Sequence, residues 1–283
     1  MGYLEYRATL TRVAKMKIII LGSTGMLGNA VGKYFLQKYG DDAIYLSYRN
    51  KDLAYGKNNF YFDPLKNDFN SIPNCDYMIN CIGVIKPFMQ NHSINSIKIN
   101  SIFPRMLANH CTKNNIKLIH ITTDCVFSGK KGSYTERDLH DCLDDYGKTK
   151  SLGEPNNCMV IRTSIIGEEI HKNASLISWV KSQAGKQVNG FSNHFWNGIT
   201  TKQYAKICDK IIQENLYKPE LFHVFSDTVN KFELLHLIND KFNLDLTIND
   251  FKTEKTIDRT LATNKNLNRI IKVPNLNSQI EDL

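Results

Sequence analysis

Short runs of apolar residues, each bounded by turn-forming or helix-forming residues, recur along the first 165 positions of the chain. The first run, Met16–Leu21, is rich in isoleucine and leads directly into glycines, which is typical of a strand buried in a parallel sheet. Runs of the same kind predict further strands at residues 43–48, 77–81, 116–122 and 158–165.

Helical spacing of apolar residues separates these strands. It predicts helices at residues 26–39 and 99–115, and Gly40 supplies a stop signal for the first of them. Strands that alternate with helices imply an α/β fold with a doubly wound parallel sheet, as in Rossmann-type domains. We assign residues 16–165 to this domain.

The pattern loosens after Ile166. Amphipathic helices and one short strand are predicted there, at residues 176–184, 202–215, 221–225 (the strand) and 231–242. We expect residues 166–283 to form mainly a smaller substrate-binding lobe, with segments that can return to the Rossmann sheet. Residues 1–15 contain neither an apolar signal segment nor a small-residue cleavage site, so they do not resemble a secretory signal. We expect either a disordered leader or a natural start at Met16.

Three glycines follow the first strand at the spacing of a dinucleotide-binding turn. Gly22 permits a sharp turn, Gly25 lets the backbone approach a pyrophosphate, and Gly28 lets the next helix pack against the sheet. The helix N-terminus then offers free N–H groups to an anion. The order of strand, glycines and helix predicts an NAD(P)-binding domain, and its alternative is a tight turn between packed elements.

The end of the second strand decides between the two nicotinamide cofactors. A carboxylate there would hold the ribose 2′-hydroxyl of NADH, but the sequence has Arg49, with Ser47 and Lys51 beside it. A guanidinium at this place favours the 2′-phosphate of NADPH, although it is also compatible with an exposed loop charge. Asp52 is near enough in sequence to keep NADH possible.

A tyrosine and a lysine four residues apart predict acid catalysis. On a helix, Tyr146 and Lys150 share one face, so the ammonium is expected to lower the pKa of the phenol. Tyr146 could then protonate a carbonyl oxygen. Thr123 ends a predicted strand and could donate a hydrogen bond to the same oxygen. The alternative for the Tyr–Lys pair is an exposed helix pair.

Taken together, the segments GSTGMLG, NCIG, TTDCVFSG, YGKTK and VIRTS resemble the extended short-chain dehydrogenase/reductases, and most closely the dTDP-4-dehydrorhamnose reductase group. The resemblance extends from Met16 to about Ile212. It implies that Thr123 polarises the substrate carbonyl, that Tyr146 donates the proton, and that Lys150 is its partner. It also implies a set of cofactor-binding residues: Gly22, Ser23, Thr24, Gly25, Met26, Leu27, Arg49, Asp63, Cys81, Ile82, Gly83, Tyr146 and Lys150.

Two stretches depart from the resembled group. The position after Asp124 is usually a tyrosine but is Cys125 here, and residues 190–198 replace a stretch that usually contains glutamine. Trp196 could stack on a base or sugar or could be a buried anchor, and Asn197 could bind hydroxyl groups. We therefore expect the following substrate-binding residues: Val84, Thr123, Asp124, Cys125, Trp196 and Asn197.

Composition restricts the remaining possibilities. Seven scattered cysteines without a CxxC pair argue against a disulfide framework and a metal site, and favour the cytoplasm. The net charge of +8 is spread along the chain without an aromatic-basic motif, so we expect anionic small molecules as ligands and no nucleic acid. No apolar stretch is long enough for a membrane span. A homodimer is possible.

The sequence thus favours NADPH-dependent reduction of a nucleotide-linked 4-keto-6-deoxy sugar, in deoxysugar or polysaccharide biosynthesis. Two alternatives stay open. One is a bifunctional epimerase/reductase that uses Cys125 as a base, against which Cys125 is a small structural residue at a strand end. The other is a non-catalytic regulator or subunit that binds NADP.

Overall fold

The computed structural model describes residues 16–66, 68–89, 93–170 and 174–283. Residues 1–15, for which the sequence predicts a disordered leader, lie outside this part of the chain. Within the described ranges, no helix combines the length and the apolar composition that are needed to cross a bilayer.

Seven strands form the central sheet, in the order β11-β6-β5-β4-β1-β2-β3. Their bounds are β1 Ile18–Leu21, β2 Ile44–Tyr48, β3 Asn59–Tyr61, β4 Tyr77–Asn80, β5 Lys117–Thr123, β6 Met159–Thr163 and β11 Leu221–His223. The pairs from β3 to β5 are parallel, with Ile19 opposite both Tyr45 and Met78. The predicted doubly wound α/β sheet of the Rossmann type is therefore confirmed.

Apolar side chains of the central strands are buried on both faces, as is typical of a parallel sheet. All four side chains of β1 are completely buried, and a core of isoleucine, leucine and phenylalanine covers one face of the sheet. Phe35, on the first helix, is also fully buried.

The helices carry the following bounds in chain order: α1 Met26–Tyr39, α2 Ser93–Ile97, α3 Phe103–Lys113, α4 Asp145–Leu152, α5 Leu176–Ser182, α6 Thr201–Gln213, α7 Lys231–Phe242, α8 Leu267–Ile271 and α9 Leu276–Glu281. Helices α1 and α7 agree with the predicted bounds to the residue. Both have clear end signals: Gly40 follows α1, and a capping box of Asn230 and Glu233 begins α7.

The single helix predicted at 99–115 is divided in the structure. A π-helical turn, Lys98–Ile102, separates α2 from α3. The Phe103 N–H donates to the Lys98 carbonyl oxygen, and Pro104, which has no N–H to donate, follows directly. Apolar periodicity did not reveal this change of hydrogen-bonding pattern.

The chain divides into two compact units. The first contains residues up to Ile121, Thr149–Ile161 and Tyr204–Leu221, and the second contains Thr122–Lys148, Arg162–Gln203 and Phe222–Leu283. The sequence placed one main boundary after residue 165. The observed division is interleaved, because the chain enters the second unit near the end of β5, within β6 and within β11, and returns to the first unit within α4 and within α6.

Short strands build the second unit. They pair as β12-β9-β14, β13-β8 and β10-β7. The bounds are β7 Ile165–Ile166, β8 Gln187–Phe191, β9 His194–Trp196, β10 Ile199–Thr200, β12 Val229–Asn230, β13 Thr247–Phe251 and β14 Ile257–Asp258. Helices α7 and α9 cover them, with Leu234, Ile238, Leu276 and Ile280 fully buried. Helix α9, close to the end of the chain, thus contributes to this core.

A buried carboxylate joins α6 to α1 in the first unit. Asp209 on α6 is 4% exposed and accepts hydrogen bonds from the Tyr34 hydroxyl at 3.1 Å, the Lys38 ammonium and the Tyr39 hydroxyl. Burial and the Asp209 carboxylate raise the pKa of Tyr39, which keeps this phenol a donor.

We expect Asp209→Asn to lower the free energy of unfolding by about 3–5 kcal/mol, because it leaves a partly buried ammonium without its counter-charge. Asp42→Asn is the matched control, since Asp42 pairs with Lys57 on the exposed surface, and it should leave the stability nearly unchanged. Urea denaturation of the three proteins measures both effects. Equal stabilities of wild type and Asp209→Asn would show that this ion pair does not hold α6.

Candidate functional site

The glycine turn after β1 has the geometry that a dinucleotide requires. Gly22 has φ +79°, and a Cβ added to Gly28 would stand 2.0 Å from the Gly22 carbonyl oxygen. Gly22 therefore needs a backbone conformation that favours glycine, and Gly28 allows α1 to begin against the strand. Both positions are explained by the folding of the chain itself.

Gly25 is different, because nothing in the protein requires a glycine there. It is exposed, its φ is −87°, and within 4 Å an added Cβ would meet among the described residues only the Gly22 carbonyl oxygen, at 3.5 Å. No side chain caps the start of α1, so its first N–H groups face outward. An open backbone beside a helix N-terminus fits the pyrophosphate of a nicotinamide dinucleotide.

The neighbouring side chains of the turn have divided roles. Ser23 is buried and its hydroxyl donates to the Ser47 carbonyl oxygen at 2.7 Å, while the Ser47 hydroxyl accepts from the Gly22 N–H at 2.8 Å. Ser47 thus ties the turn to β2. The sequence suggested that Ser47 contacts a 2′-phosphate, but its hydroxyl and carbonyl oxygen bind the glycine turn. Arg49 follows on the surface and is exposed.

The loop after β4 is shaped by two buried amides. Asn80 accepts from the Ile82 N–H at 3.1 Å and its amide contacts His120 Nδ1 at 3.0 Å. Asn100, in the π-helical turn, accepts from the Val84 N–H at 2.8 Å and donates to the Val84 carbonyl oxygen at 2.9 Å. Cys81, Ile82 and Gly83 lie between these two anchors, at the carboxyl edge of the sheet.

The remaining cofactor-binding candidates are placed as follows. Thr24, Met26 and Asp63 are partly exposed, Leu27 is buried in the core, and the Asp63 carboxylate accepts from the Leu65 N–H at 3.0 Å. The local hydrogen bond fixes Asp63 directly after β3.

Lys150 is buried in the first unit, with 6% of its surface exposed. Its ammonium donates to the Ile121 carbonyl oxygen at 3.2 Å, and a Cβ on Gly83 would lie 3.8 Å from it. Burial lowers the pKa of Lys150 to about 8, with Glu154 acting in the opposite direction. The ammonium is therefore present at neutral pH and is lost in mildly alkaline solution.

In the second unit, the Thr123 hydroxyl and the Tyr146 phenol are hydrogen-bonded to each other. Thr123 is the last residue of β5 and is buried, while Tyr146 lies in the first turn of α4 and is half-buried. Four residues separate Tyr146 from Lys150 on this helix. Two hydroxyls that the sequence assigned to one carbonyl oxygen are thus adjacent.

The pKa of Tyr146 does not follow the sequence expectation of a lowered value. Desolvation raises it, Cys125 and Asp124 raise it further, and the hydrogen bond from Thr123 acts against them. The phenol is consequently held in its protonated form, which is the form that donates a proton.

Cys125 occupies a 3₁₀ turn directly after β5, beside the buried Asp124. Cys125 is half-buried. A Cβ added to Gly147 would stand 2.3 Å from the Cys125 carbonyl oxygen. Gly147 is therefore needed for α4 to pass close to the Cys125 backbone. Asp124 accepts from the Thr123 hydroxyl at 3.1 Å, so it orients the residue that precedes it.

Two of the expected substrate contacts have structural roles instead. The Asn197 amide is buried and pairs with the Leu261 N–H and carbonyl oxygen, at 2.9 and 2.8 Å. Trp196 is 5% exposed and belongs to the core of the second unit, where a Cβ on Gly198 would strike its ring. Trp196 is thus the buried anchor that the sequence left as an alternative.

A buried arginine that sequence reasoning noted only by resemblance organises another part of this unit. Arg162 contacts His223 Nε2 at 2.7 Å and His140 Nε2 at 2.6 Å, and its guanidinium lies over the Phe127 ring. Burial and Arg162 lower the pKa of His223 to about 4, so this ring is neutral and accepts. In the described ranges, no set of three or more His, Cys, Asp or Glu residues is arranged to hold a metal ion.

Sequence reasoning missed Lys231 and Arg259, the charged residues that follow β12 and β14. Each is an isolated basic residue in its own segment, and only strand pairing brings both to β9. His120 was also missed, although a histidine inside an apolar strand is a signal of a buried polar partner.

A seven-stranded Rossmann-type sheet, a glycine turn that is open at Gly25, and a Thr–Tyr pair at the end of β5 define an α/β protein of the Rossmann class. The family can be named more narrowly. The sequence profile of the RmlD substrate binding domain matches residues 16–266, and the chain belongs to this family. The resemblance seen in the sequence is confirmed.

Two curated relatives have different names. The chain is 26% identical over 255 residues to methionine adenosyltransferase 2 subunit beta of Bos taurus, covering 82% of this chain and 74% of the relative. It is 24% identical over 233 residues to dTDP-4-dehydrorhamnose reductase of Aggregatibacter actinomycetemcomitans, covering 73% of this chain and 72% of the relative.

Solved structures agree in fold. A hypothetical dTDP-4-dehydrorhamnose reductase from Sulfolobus tokodaii aligns with a TM-score of 0.70 and 24% identity, over 87% of this chain and 92% of that one. The dTDP-4-dehydrorhamnose reductase from Bacillus anthracis, crystallised with NADP, aligns with a TM-score of 0.73 and 18% identity, over 95% and 98%.

The lowered pKa of Lys150 leads to a pH-dependence. If its ammonium holds the cofactor, affinity for NADPH should fall as the pH rises past about 8, by up to about tenfold per pH unit, because the neutral amine loses the interaction. Fluorescence titration of NADPH between pH 6.5 and 9.5 measures this. Lys150→Arg keeps its charge throughout and should abolish the alkaline decrease. A constant affinity of the wild type up to pH 9.5 would contradict the role of Lys150.

Proposed function

We propose that the protein reduces the keto group of a nucleotide-linked 4-keto-6-deoxy sugar with NADPH. The observation that carries the proposal is the hydrogen bond between Thr123 and Tyr146 at the carboxyl end of β5. Two adjacent hydroxyl groups, one of them a phenol that is protonated at neutral pH, suit the protonation of a carbonyl oxygen.

Each residue has a separate task in this reaction. The Thr123 hydroxyl donates to Asp124 in this structure, and it would turn to donate to the substrate carbonyl oxygen, which it polarises. Tyr146 transfers its proton to the carbonyl oxygen as the alcohol forms. Lys150 binds the ribose next to the nicotinamide. The bound nicotinamide supplies the hydride.

The first unit supports the cofactor part of the proposal. The open backbone at Gly25 and the uncapped start of α1 suit a pyrophosphate. Relatives in fold were crystallised with NADP or NAD. The preference for NADPH rests on the exposed Arg49 after β2.

Loss of NADPH absorbance with a dTDP- or UDP-linked 4-keto-6-deoxy sugar tests the proposal. Tyr146→Phe should lower kcat by about 10²- to 10⁴-fold because the proton donor is gone, and Thr123→Val by about 10²- to 10³-fold. Both variants should bind NADPH normally. Tyr45→Phe is the control, because it removes the hydroxyl of a tyrosine on β2, in the first unit, and it should keep full activity.

Cofactor choice is tested separately. Arg49→Ala should weaken NADPH binding by about 10- to 100-fold and leave NADH binding unchanged, because only NADPH carries the 2′-phosphate. Arg137→Ala, at an exposed site of the second unit, is the control. Equal losses for NADH and NADPH in Arg49→Ala would contradict the assignment.

A second candidate is a non-catalytic, NADP-binding subunit. It is favoured by the relatives named as the beta subunit of a methionine adenosyltransferase. The Thr123–Tyr146 pair argues against it, since a binding subunit needs no proton donor. Tight NADPH binding without turnover of any keto-sugar, together with copurification of an adenosyltransferase, would favour the subunit.

The epimerase alternative depends on Cys125. Its position beside Thr123 and Tyr146 is compatible with proton exchange next to the keto group. We retain simple reduction as the proposed reaction. We further propose a cytoplasmic location and a homodimeric state.

A further inference from the structure

Hydrogen bonds tie the loop before α4 to the chain that follows Thr123. The Asp141 carboxylate accepts from the Ser128 N–H at 2.7 Å and from the Ser128 hydroxyl at 2.5 Å. The Cys142 N–H donates to the Val126 carbonyl oxygen at 3.2 Å. All of these residues belong to the second unit. Two consecutive residues of the loop thus hold it against the segment that begins at Thr123.

The same loop leads into the first turn of α4, which carries Tyr146. The Asp144 carboxylate accepts from the Gly147 N–H at 2.8 Å and caps this turn. A Cβ added to Gly147 would stand 2.7 Å from the Cys142 Cβ and 2.3 Å from the Cys125 carbonyl oxygen. The turn therefore packs against the loop and against the chain that follows β5, and a shift of the loop would move Tyr146.

Asp141 lies at the surface, yet both of its carboxylate oxygens bind one residue. Desolvation raises the pKa of Asp141, but hydrogen bonds, first of all those from Ser128, outweigh this effect and lower the pKa overall. The carboxylate is therefore charged at neutral pH. Charge-assisted hydrogen bonds are shorter and stronger than neutral ones, and a pair of them fixes direction as well as distance. Asp141 thus fixes the position of the loop relative to Ser128.

Asp138, in the same loop, makes a similar pair of hydrogen bonds with a different consequence. Its carboxylate accepts from the Thr135 N–H at 2.7 Å and from the Thr135 hydroxyl at 2.9 Å, and it pairs with Lys131. These partners lie three and seven residues before Asp138, so the contacts close a local turn. Asp141 instead joins segments that are thirteen residues apart. The comparison indicates that Asp141 acts between two segments and Asp138 within one.

We propose that Asp141 is a positioning residue, which through Ser128 keeps the Tyr146 phenol at the Thr123 hydroxyl. This inference rests on the proposed function, in which both hydroxyls act on one carbonyl oxygen. The two groups are hydrogen-bonded to each other, so the protein itself sets this alignment. Reaction rates depend steeply on such alignment, because a displacement of about 1 Å can cost about 10²-fold.

Turnover by a pair of carboxylate variants tests this role. Asp141→Ala should lower kcat by about 5- to 30-fold and leave KM for the sugar nucleotide nearly unchanged, because the binding contacts stay and only the alignment of the proton donor is lost. Asp141→Asn should fall between wild type and Asp141→Ala, since its amide oxygen still accepts one of the two hydrogen bonds. Asp138→Ala is the matched control and should keep kcat close to that of wild type.

A double-mutant cycle with Ser128 tests whether the contact itself matters. Ser128→Ala keeps the N–H donor and should lose less kcat than Asp141→Ala. The double variant should lose no more than Asp141→Ala alone, because both residues act through one contact. Losses in kcat that multiply would refute the proposal. Thermal unfolding supplies the last comparison: a purely structural role would lower the Tm of Asp141→Ala and leave kcat of the folded protein unchanged.

Hydrogen–deuterium exchange separates this inference from the proposed function, because it needs no substrate. The amides of residues 142–148 should exchange faster in Asp141→Ala than in wild type or Asp138→Ala. Faster exchange, with no keto-sugar reduced by wild type, would support the anchoring of this turn and reject the reductase. Reduction by wild type, with an unchanged kcat in Asp141→Ala, would support the reductase and reject the positioning role.

Discussion

The close approach of α1 to β1 at Gly28 is the constraint on which the nucleotide-binding edge depends. With any side chain at this position, a Cβ would collide with the Gly22 carbonyl oxygen at 2.0 Å, and the helix could not begin where the strand ends. Because the paired strands from β3 to β5 are parallel, the carboxyl ends of β1 and β4 lie at the same edge, and the end of β5 follows. The helix N-terminus and the loop after β4 are thereby held at one border of the sheet.

Buried polar side chains, in addition to apolar packing, shape that border. Loops at the end of a strand lose the hydrogen bonds of the sheet, and their backbone groups need other partners. The Asn80 side chain accepts a hydrogen bond from the Ile82 N–H, and the Ser47 hydroxyl accepts one from the Gly22 N–H. The Asn100 amide binds both the N–H and the carbonyl oxygen of Val84. In each case a side chain from a regular element fixes a loop, so the rigidity of the sheet is transmitted to residues that we propose to contact ligands.

The sequence predicted those elements whose position is determined by residues close together in the chain. Helices α1 and α7 carry their own end signals, the strands of the central sheet are continuous apolar runs, and the glycine turn has a fixed spacing. Strands β8 and β13 escaped prediction because they lack a continuous apolar run and pair over about sixty residues, as Val188 does with Ile248. Long-range contacts also explain why the structural roles of Asn197 and Ser47 were not predicted. The sequence shows an amide and a hydroxyl, but only the tertiary fold shows that they are hydrogen-bonded to Leu261 and Gly22.

The distribution of charge gives the net value of +8 a physical meaning. A nucleic-acid-binding surface would present its basic residues together and exposed, so that they meet a continuous row of phosphates. Here Lys150 is buried in the first unit, and Lys231 is partly buried in the second. Isolated cations that are partly removed from water bind a discrete anion strongly, since solvent screens them little. Such an arrangement suits small anionic ligands better than a nucleic acid.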